Sequence, residues 1–261
     1  MKNNNVKPLE IIPIEGIPDI NPIDAIEEIL ENAILAQGDF LYKDDIVVIT
    51  QKIVSKAENR FVHSASVLPS ETALNISVVT KKPPELIELI LRESRSILRF
   101  NERAVIVEHK LGFVCANAGI DRSNVNREEK AEGEWYLLLP ENPDRSAEKI
   151  RKYLENKFAT KLGIMIIDSH GRTWRYGTVG TAIGISGMPA LVDMRGKPDL
   201  YGRELKITRI GAADELAGAA SLVMGQAAEK IPAVIARGFP YALREAKLEE
   251  ILRSEEMDLF R

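Results

Sequence analysis

The sequence predicts an α+β fold built around a mixed sheet, and three observations carry that expectation. Two runs, Asp45 to Thr50 (DIVVIT) and Leu162 to Ile167 (LGIMII), have the continuous apolar character of strands buried on both faces. Strand-like and helix-like stretches alternate irregularly, so clean βαβ units are not seen and a doubly wound sheet is disfavoured. The 261 residues are 45% hydrophobic and 28% charged, enough for a large buried core without disulfide staples.

The elements follow in order. Leu9 to Ile14 reads as a short buried strand, closed by Gly16, Pro18 and Pro22. Ile23, Ile26, Ile29, Leu30, Ala33 and Ile34 recur at helical spacing, with Asn21 as N-cap, Pro22 at the first helical position and Gly38 near the stop. Asp45 to Thr50 comes next as a central strand and runs directly into Gln51-Lys52-Ile53-Val54-Ser55-Lys56. Pro83-Pro84 opens a helix whose apolar side carries Leu86, Ile87, Ile90, Leu91, Ile97 and Leu98. Ala104 to Val107 and Gly112 to Ala116 form a hairpin around His109-Lys110, leading into the turn-rich Asn117-Ala118-Gly119-Ile120-Asp121. Arg127 to Glu134 is charged. Pro140 to Pro143 is a turn before a helix running from near Asp144 to around Ala159. Leu162 to Ile167 is the second central strand, ending at Asp168.

The stretch from Gly171 to Gly211 is glycine-rich and reads as short apolar pieces, the glycines allowing tight turns and close strand packing. Ile210 to Glu229 is an alanine-rich helix, and small-residue helices of this kind often pack against another subunit. Pro232 to Ala236 is a short strand, and the tail after Tyr241 reads as a terminal helix.

Charge and composition narrow the function classes. With 35 Lys+Arg against 39 Asp+Glu the formal charge is -4, which disfavours a dedicated nucleic-acid or anionic-membrane binder. The single cysteine, Cys115, excludes a disulfide framework and a thiolate zinc cluster. Lying in an apolar strand, it reads as a buried hydrophobe. His63, His109 and His170 show no HExxH-type spacing. Met1 to Ile14 does not read as a secretory leader, and no apolar run reaches the roughly 20 residues that a bilayer requires. A soluble, cytoplasmic protein is expected.

The candidate chemistry lies in polar residues placed directly after strands. Gln51, Lys52, Ser55 and Lys56 leave the carboxyl end of the first central run, where a mixed sheet presents ligand-binding groups. Two lysines four apart suit a polyphosphate; they equally suit the solvated start of a helix. In Asn117 to Asn124, small residues let a ligand approach, Asp121 offers a hard oxygen and Asn124 a neutral donor and acceptor, although an Asx-rich turn has the same composition. Asp168-Ser169 adds a carboxylate and a hydroxyl. Asp121 and Asp168, from separate strands, fit the sharing of a divalent cation, while an Asp after a strand also serves as an N-cap. Arg172, Arg175, Arg195 and Arg203 suit bidentate recognition of carboxylate or phosphate, or are surface arginines in loops. Trp174 reads as a packing anchor. Gln226, beside Gly225, offers a neutral side-chain oxygen. Gly177 to Gly184 lacks GxGxxG spacing and no Walker lysine-serine pair follows.

Five blocks together resemble a known family. Asp45 to Arg60 (DIVVITQKIVSKAENR), Asn117 to Val125 (NAGIDRSNV), Asp168 to Arg175 (DSHGRTWR), Asp193 to Arg203 (DMRGKPDLYGR) and Ala213 to Ala220 (ADELAGAA) resemble the coenzyme F420-0:L-glutamate ligases, the CofE-type γ-glutamyl ligases also found as the N-terminal part of FbiB-type proteins. The likeness runs from Ile11 to about Arg237. It implies GTP-dependent amide synthesis: L-glutamate is joined to F420-0, then a second glutamate through a γ-linkage, with Mg²⁺ or Mn²⁺ and a monovalent cation such as K⁺. Carried over by motif, Asp121 and Asp168 match metal-binding aspartates, Ser169 a hydroxyl ligand position usually held by threonine, and Gln226 a further metal ligand. Ile17, Pro18, Asp19, Ile20, Gln51, Lys52, Lys56 and Asn124 match positions that contact GTP, and Lys56 joins the two aspartates as a catalytic candidate. The family fold implies a single unit over residues 1–261, with two α+β lobes and an intertwined homodimer. His170 stands where phenylalanine is common, and Arg127 to Glu134 matches no motif.

The implied chemistry agrees with the residues. GTP, glutamate and the acceptor with its phosphodiester and carboxylate are all anions, so cations are needed to bring them together. The expected route is attack of the acceptor carboxylate on the γ-phosphate, giving an acyl phosphate that the glutamate amine displaces. No covalent nucleophile is required, which leaves Cys115 dispensable. Two other readings stay open at this point: the same scaffold glutamylating a folate-like acceptor, and a nucleotide-binding regulatory module without catalysis.

Overall fold

The computed structural model describes residues 8–125 and 133–259. In chain order it contains β1 (Glu10–Pro13), α1 (Ile26–Ala36), β2 (Ile46–Thr50), α2 (Gln51–Ala57), β3 (Phe61–His63), α3 (Glu71–Thr80), α4 (Pro84–Arg92), β4 (Ser94–Phe100), β5 (Val105–His109) and β6 (Val114–Ala116). There follow β7 (Trp135–Leu137), α5 (Pro143–Phe158), β8 (Gly163–Arg172), β9 (Arg175–Ser186), β10 (Val192–Asp193), β11 (Arg209–Ile210), α6 (Ala212–Met224) and β12 (Ala233–Arg237). The mixture of several sheets with helices fits the predicted α+β class.

The main sheet has five strands in the order β1-β12-β2-β8-β9. The two apolar runs of the sequence lie side by side in its centre as the parallel pair β2 and β8, with Ile46 opposite Gly163 and Thr50 opposite Ile167. The flanking pairs β1–β12, β12–β2 and β8–β9 are antiparallel. Ile46 to Ile49 are fully buried, which is why this strand carries no polar alternation. A three-stranded sheet, β4-β5-β6, holds the predicted hairpin, with Ile106 opposite Ala116. Helix α5 starts as expected. Pro143 takes its first position, and the Asn142 side chain accepts a hydrogen bond from the Arg145 amide.

Several expectations are corrected. Helix α1 begins at Ile26, not at Pro22. The Asn21 amide donates to Asp24 Oδ2 at 2.7 Å, closing a turn in which Ile23 has a left-handed backbone and is 92% exposed. Helix α4 stops at Arg92, and Ile97 and Leu98 lie on β4, because pairing with β5 overrides the helical spacing of these residues. The second central strand does not end at Asp168 but continues to Arg172. Its partner β9, Arg175–Ser186, takes up the first part of the region read as glycine-rich short pieces. The tail after Tyr241 forms short 3₁₀ turns at Leu248–Ile251 and Glu255–Met257. It is held by an Asp144 carboxylate accepting from the Leu248 amide and by an Arg244–Glu250 ion pair. Trp174 is no packing anchor. It sits at the β8–β9 turn with a positive φ and is 88% exposed. Most of the charged segment from Arg127 lies outside the described residues.

Close strand packing by glycine is observed at two positions. A Cβ on Gly180 would lie 2.3 Å from the Ala217 carbonyl oxygen, and one on Gly184 would lie 2.4 Å from Pro143 Cβ. The small residues of α6 therefore serve contacts within this chain. Cys115 is buried, as read from the sequence, and burial pushes its thiol up to about 12. Among the described residues no helix is long and apolar enough to cross a membrane.

Candidate functional site

The parallel register of β2 and β8 decides where the polar groups gather. Thr50 and Ile167 are partners, so the residues that follow them, Gln51 and Asp168, lie at the same end of the β2–β8 pair. At this end β2 turns into α2, while β8 continues alone with β9. Carboxyl ends of parallel strands are where open sheets present ligand groups.

Gln51, Lys52, Ser55 and Lys56 all lie on α2. Gln51 Nε2 donates to Asp121 Oδ2 at 2.7 Å, and Lys52 Nζ lies 3.4 Å from the same oxygen. Lys52 Nζ also donates to the Ser123 carbonyl at 3.3 Å. Asp121 is fixed from the other side by backbone bonds in both directions with Leu137. Lys56, though buried, donates to Asp19 Oδ1 at 2.7 Å. This ties the loop Ile17 to Ile20 to α2: Ile20 is buried, Ile17 packs on the core, and Pro18 and Asp19 are exposed. The lysine's hydrogen bond holds the Asp19 carboxyl below the usual carboxylate range.

The second half of the cluster comes from β8 and the end of α6. Ser169 Oγ donates to Gln226 Oε1 at 2.8 Å, and Asn124 Nδ2 donates to the Ala227 carbonyl at 3.4 Å. Asn124 thus joins the segment carrying Asp121 to the segment carrying Gln226. His170 Nε2 lies 3.1 Å from Asp168 Oδ2. Burial pushes the Asp121 carboxyl above its usual range, the Asp168 charge pushes it further, and Lys52 and Gln51 oppose the rise. Two carboxylates that feel each other in a part-buried site are an arrangement that a cation relieves.

Residues expected at a site gather at this end of the sheet in linked groups: Asp121 with Gln51 and Lys52, Asp19 with Lys56, and Ser169 with Gln226, with Asn124 bonded beside Gln226 and the Asp168 charge felt by Asp121. The arginines are arranged differently. Arg172 and Arg175 pair across the end of the β8–β9 hairpin, Arg195 binds the Asp193 carboxylate, and the Arg203 amide donates to Asp199. Sequence reasoning missed the Ser123 and Ala227 carbonyls, because main-chain acceptors leave no trace in residue type. It also missed the link between Ser55 and Gln51, for which the i,i+4 spacing was the available signal.

The donor set fits a hard divalent cation. Asp121, Asp168, Ser169 and Gln226 offer only oxygens, and two carboxylates suit Mg²⁺ or Mn²⁺, which takes further oxygens from water and substrate phosphates. Among the described residues no three His, Cys, Asp or Glu side chains form a metal-holding group, so an all-protein cage is not what these residues build.

Comparison with known proteins identifies the family. A family described as F420-0:Gamma-glutamyl ligase matches residues 16–238. Three curated proteins, each named Coenzyme F420:L-glutamate ligase, are similar over nearly full length. The protein from Methanothermobacter thermautotrophicus is 44% identical over 97% of this chain and 99% of its own. That from Methanopyrus kandleri is 42% identical over 97% of each. That from Archaeoglobus fulgidus is 41% identical over 97% of this chain and 96% of its own. On a family match that spans all the polar groups gathered at this end of the sheet, the chain belongs to the F420-0:gamma-glutamyl ligase family.

Proposed function

We propose that this enzyme is a ligase that joins L-glutamate to coenzyme F420-0 through an amide bond, using GTP, and then joins the amine of a second glutamate to the γ-carboxyl of the first. The observation that carries the reading is the convergence of Gln51, Lys52, Asp121, Asp168, Ser169 and Gln226 at one end of the sheet in a chain of this family.

In the first step the acceptor carboxylate oxygen attacks the γ-phosphorus, a P–O bond forms, the β–γ bridge breaks and GDP leaves. In the second, the glutamate amine attacks the acyl carbon, the C–N bond forms, phosphate leaves with the electrons of the C–O bond, and the amine proton is lost to phosphate or water. Lys52 supplies positive charge beside Asp121, and Lys56 supplies it on the inner side of α2. The Ile17 to Ile20 loop and Asn124 border the nucleotide side. Mg²⁺ or Mn²⁺, held by Asp121, Asp168, Ser169 and Gln226, would supply Lewis-acid stabilisation of the transferred phosphoryl group. K⁺ is part of the same proposal without an assigned ligand. A two-lobed organisation and an intertwined homodimer also belong to it; the exposed Trp174, Tyr176, Leu200, Tyr201 and Ile207 support the dimer.

The test is mass spectrometry of products from F420-0, L-glutamate, GTP and Mn²⁺, with tetrahydrofolate as a separate acceptor. Glutamylated F420 is the expected product, and Asp121→Asn is expected to abolish it while the protein stays folded. Undiminished glutamylation by that variant overturns the site, and product from tetrahydrofolate alone overturns the acceptor.

A further inference from the structure

Ser55, Gln51 and Asp121 form a directional chain of hydrogen bonds. Ser55, fully buried one turn along α2, donates its hydroxyl to Gln51 Oε1 at 2.8 Å. Gln51, 1% exposed, donates from Nε2 to Asp121 Oδ2 at 2.7 Å. A side-chain amide has an accepting end and a donating end, and turning it over exchanges them. In the opposite orientation the Gln51 oxygen would face a carboxylate oxygen, and the NH₂ would face the serine. The carboxylate, which only accepts, selects the orientation, and the serine hydroxyl on the same helix anchors the amide in it by donating to the oxygen.

We infer that Ser55 is a positioning residue of the ligase site, setting the amide of Gln51 and through it the rotation of the Asp121 carboxylate. Lys52 cannot do this alone. Its ammonium is a mobile point charge that attracts the carboxylate without fixing which oxygen turns where. The Gln51 N–H is directional and held in a packed interior. The Gln51 oxygen is engaged by Ser55, so Gln51 reaches a nucleotide mainly by way of Asp121. The inference rests on the proposed role of Asp121 as a cation ligand.

The experiment uses the full chain and Mn²⁺ alone as probe, with free Mn²⁺ followed by electron paramagnetic resonance and folding by thermal unfolding. Ser55→Ala is expected to weaken Mn²⁺ binding about tenfold, in the range that supporting hydrogen bonds to metal ligands show. The Mn²⁺ concentration for half-maximal glutamylation is expected to rise with it, at unchanged KM for glutamate. Ser55→Thr, which keeps the hydroxyl, restores binding. Gln51→Met, which keeps the volume and removes the amide, is expected to lose at least as much as Ser55→Ala and reads the same chain at its next member if the alanine variant fails to fold. Wild-type Mn²⁺ affinity in Ser55→Ala or in Gln51→Met overturns the inference. Failure of the underlying reading has a different signature: the unaltered protein then binds no Mn²⁺, and the inference falls with it.

Discussion

His170 Nε2 lies 3.1 Å from Asp168 Oδ2, two residues further along the same face of β8. Phe113 packs against the imidazole, with ring centroids 5.3 Å apart, so the ring is held while it holds the carboxylate. His170→Ala is expected to release Asp168 and to raise the Mn²⁺ concentration needed for half-maximal turnover about tenfold. His170→Gln, which returns an N–H near the position of Nε2, is expected to recover most of that loss. Titrating glutamylation against Mn²⁺ in both variants checks it. Equal requirements in the alanine variant and the unaltered protein would remove His170 from the site's support.

His109 predicts a pH dependence of stability. It is buried, its Nδ1 accepts from the Leu111 amide, and burial with neighbouring positive charges pushes its pKa from 6.5 down to about 4. In the folded protein the imidazole stays neutral down to that value, whereas the unfolded chain takes up a proton below 6.5. The unfolded state therefore binds more protons between these limits, and stability falls as pH drops through the window. The contribution at stake is about 3 kcal/mol from the size of the depression. Urea unfolding at about pH 7 and about pH 5 should show a smaller loss for His109→Gln than for the unaltered protein. Equal losses would assign the acid sensitivity elsewhere.

Cys115 is expected to be inert. A buried thiol with a pKa near 12 has almost no thiolate at neutral pH, so iodoacetamide should modify it only after unfolding. Cys115→Ala should retain glutamate transfer. Rapid alkylation of the native protein, read by mass, would contradict the burial.

Gly180 predicts a packing defect. A methyl group there would press on the Ala217 carbonyl, which belongs to a helix backbone and cannot swing aside. Gly180→Ala is expected to cost about 1–3 kcal/mol. Because Gly180 is paired with Ser169, the shift should also weaken Mn²⁺ binding. Denaturant midpoints together with Mn²⁺ titration check both effects.

What the sequence disclosed and what it hid divide along physical lines. The strands Ile46–Thr50 and Gly163–Arg172 were legible in their buried parts because both faces are covered and every residue there is apolar. Helix α5 was legible from the proline-bounded turn that precedes it. Strand β9 was not, since the glycines that let α5 and α6 approach it look like turn residues in one dimension. Strand β4 looked helical because Ile97 and Leu98 continued the α4 spacing. In the site, residue types pointed to Lys52, Lys56, Asp121 and Asp168, but not to which partner each would find. That Asp19 would pair with Lys56, and that Asn124 would reach Ala227, depends on segments far apart in the chain.

The strand order β1-β12-β2 has a consequence for biosynthesis. The last of the five strands to be synthesised is wedged between the first two. Until Ala233–Arg237 leaves the ribosome, both neighbours carry open edges toward a gap that nothing else in the sheet fills. The sheet stays open between β1 and β2 until that strand is available, a period in which chaperones would find exposed strand edges to guard.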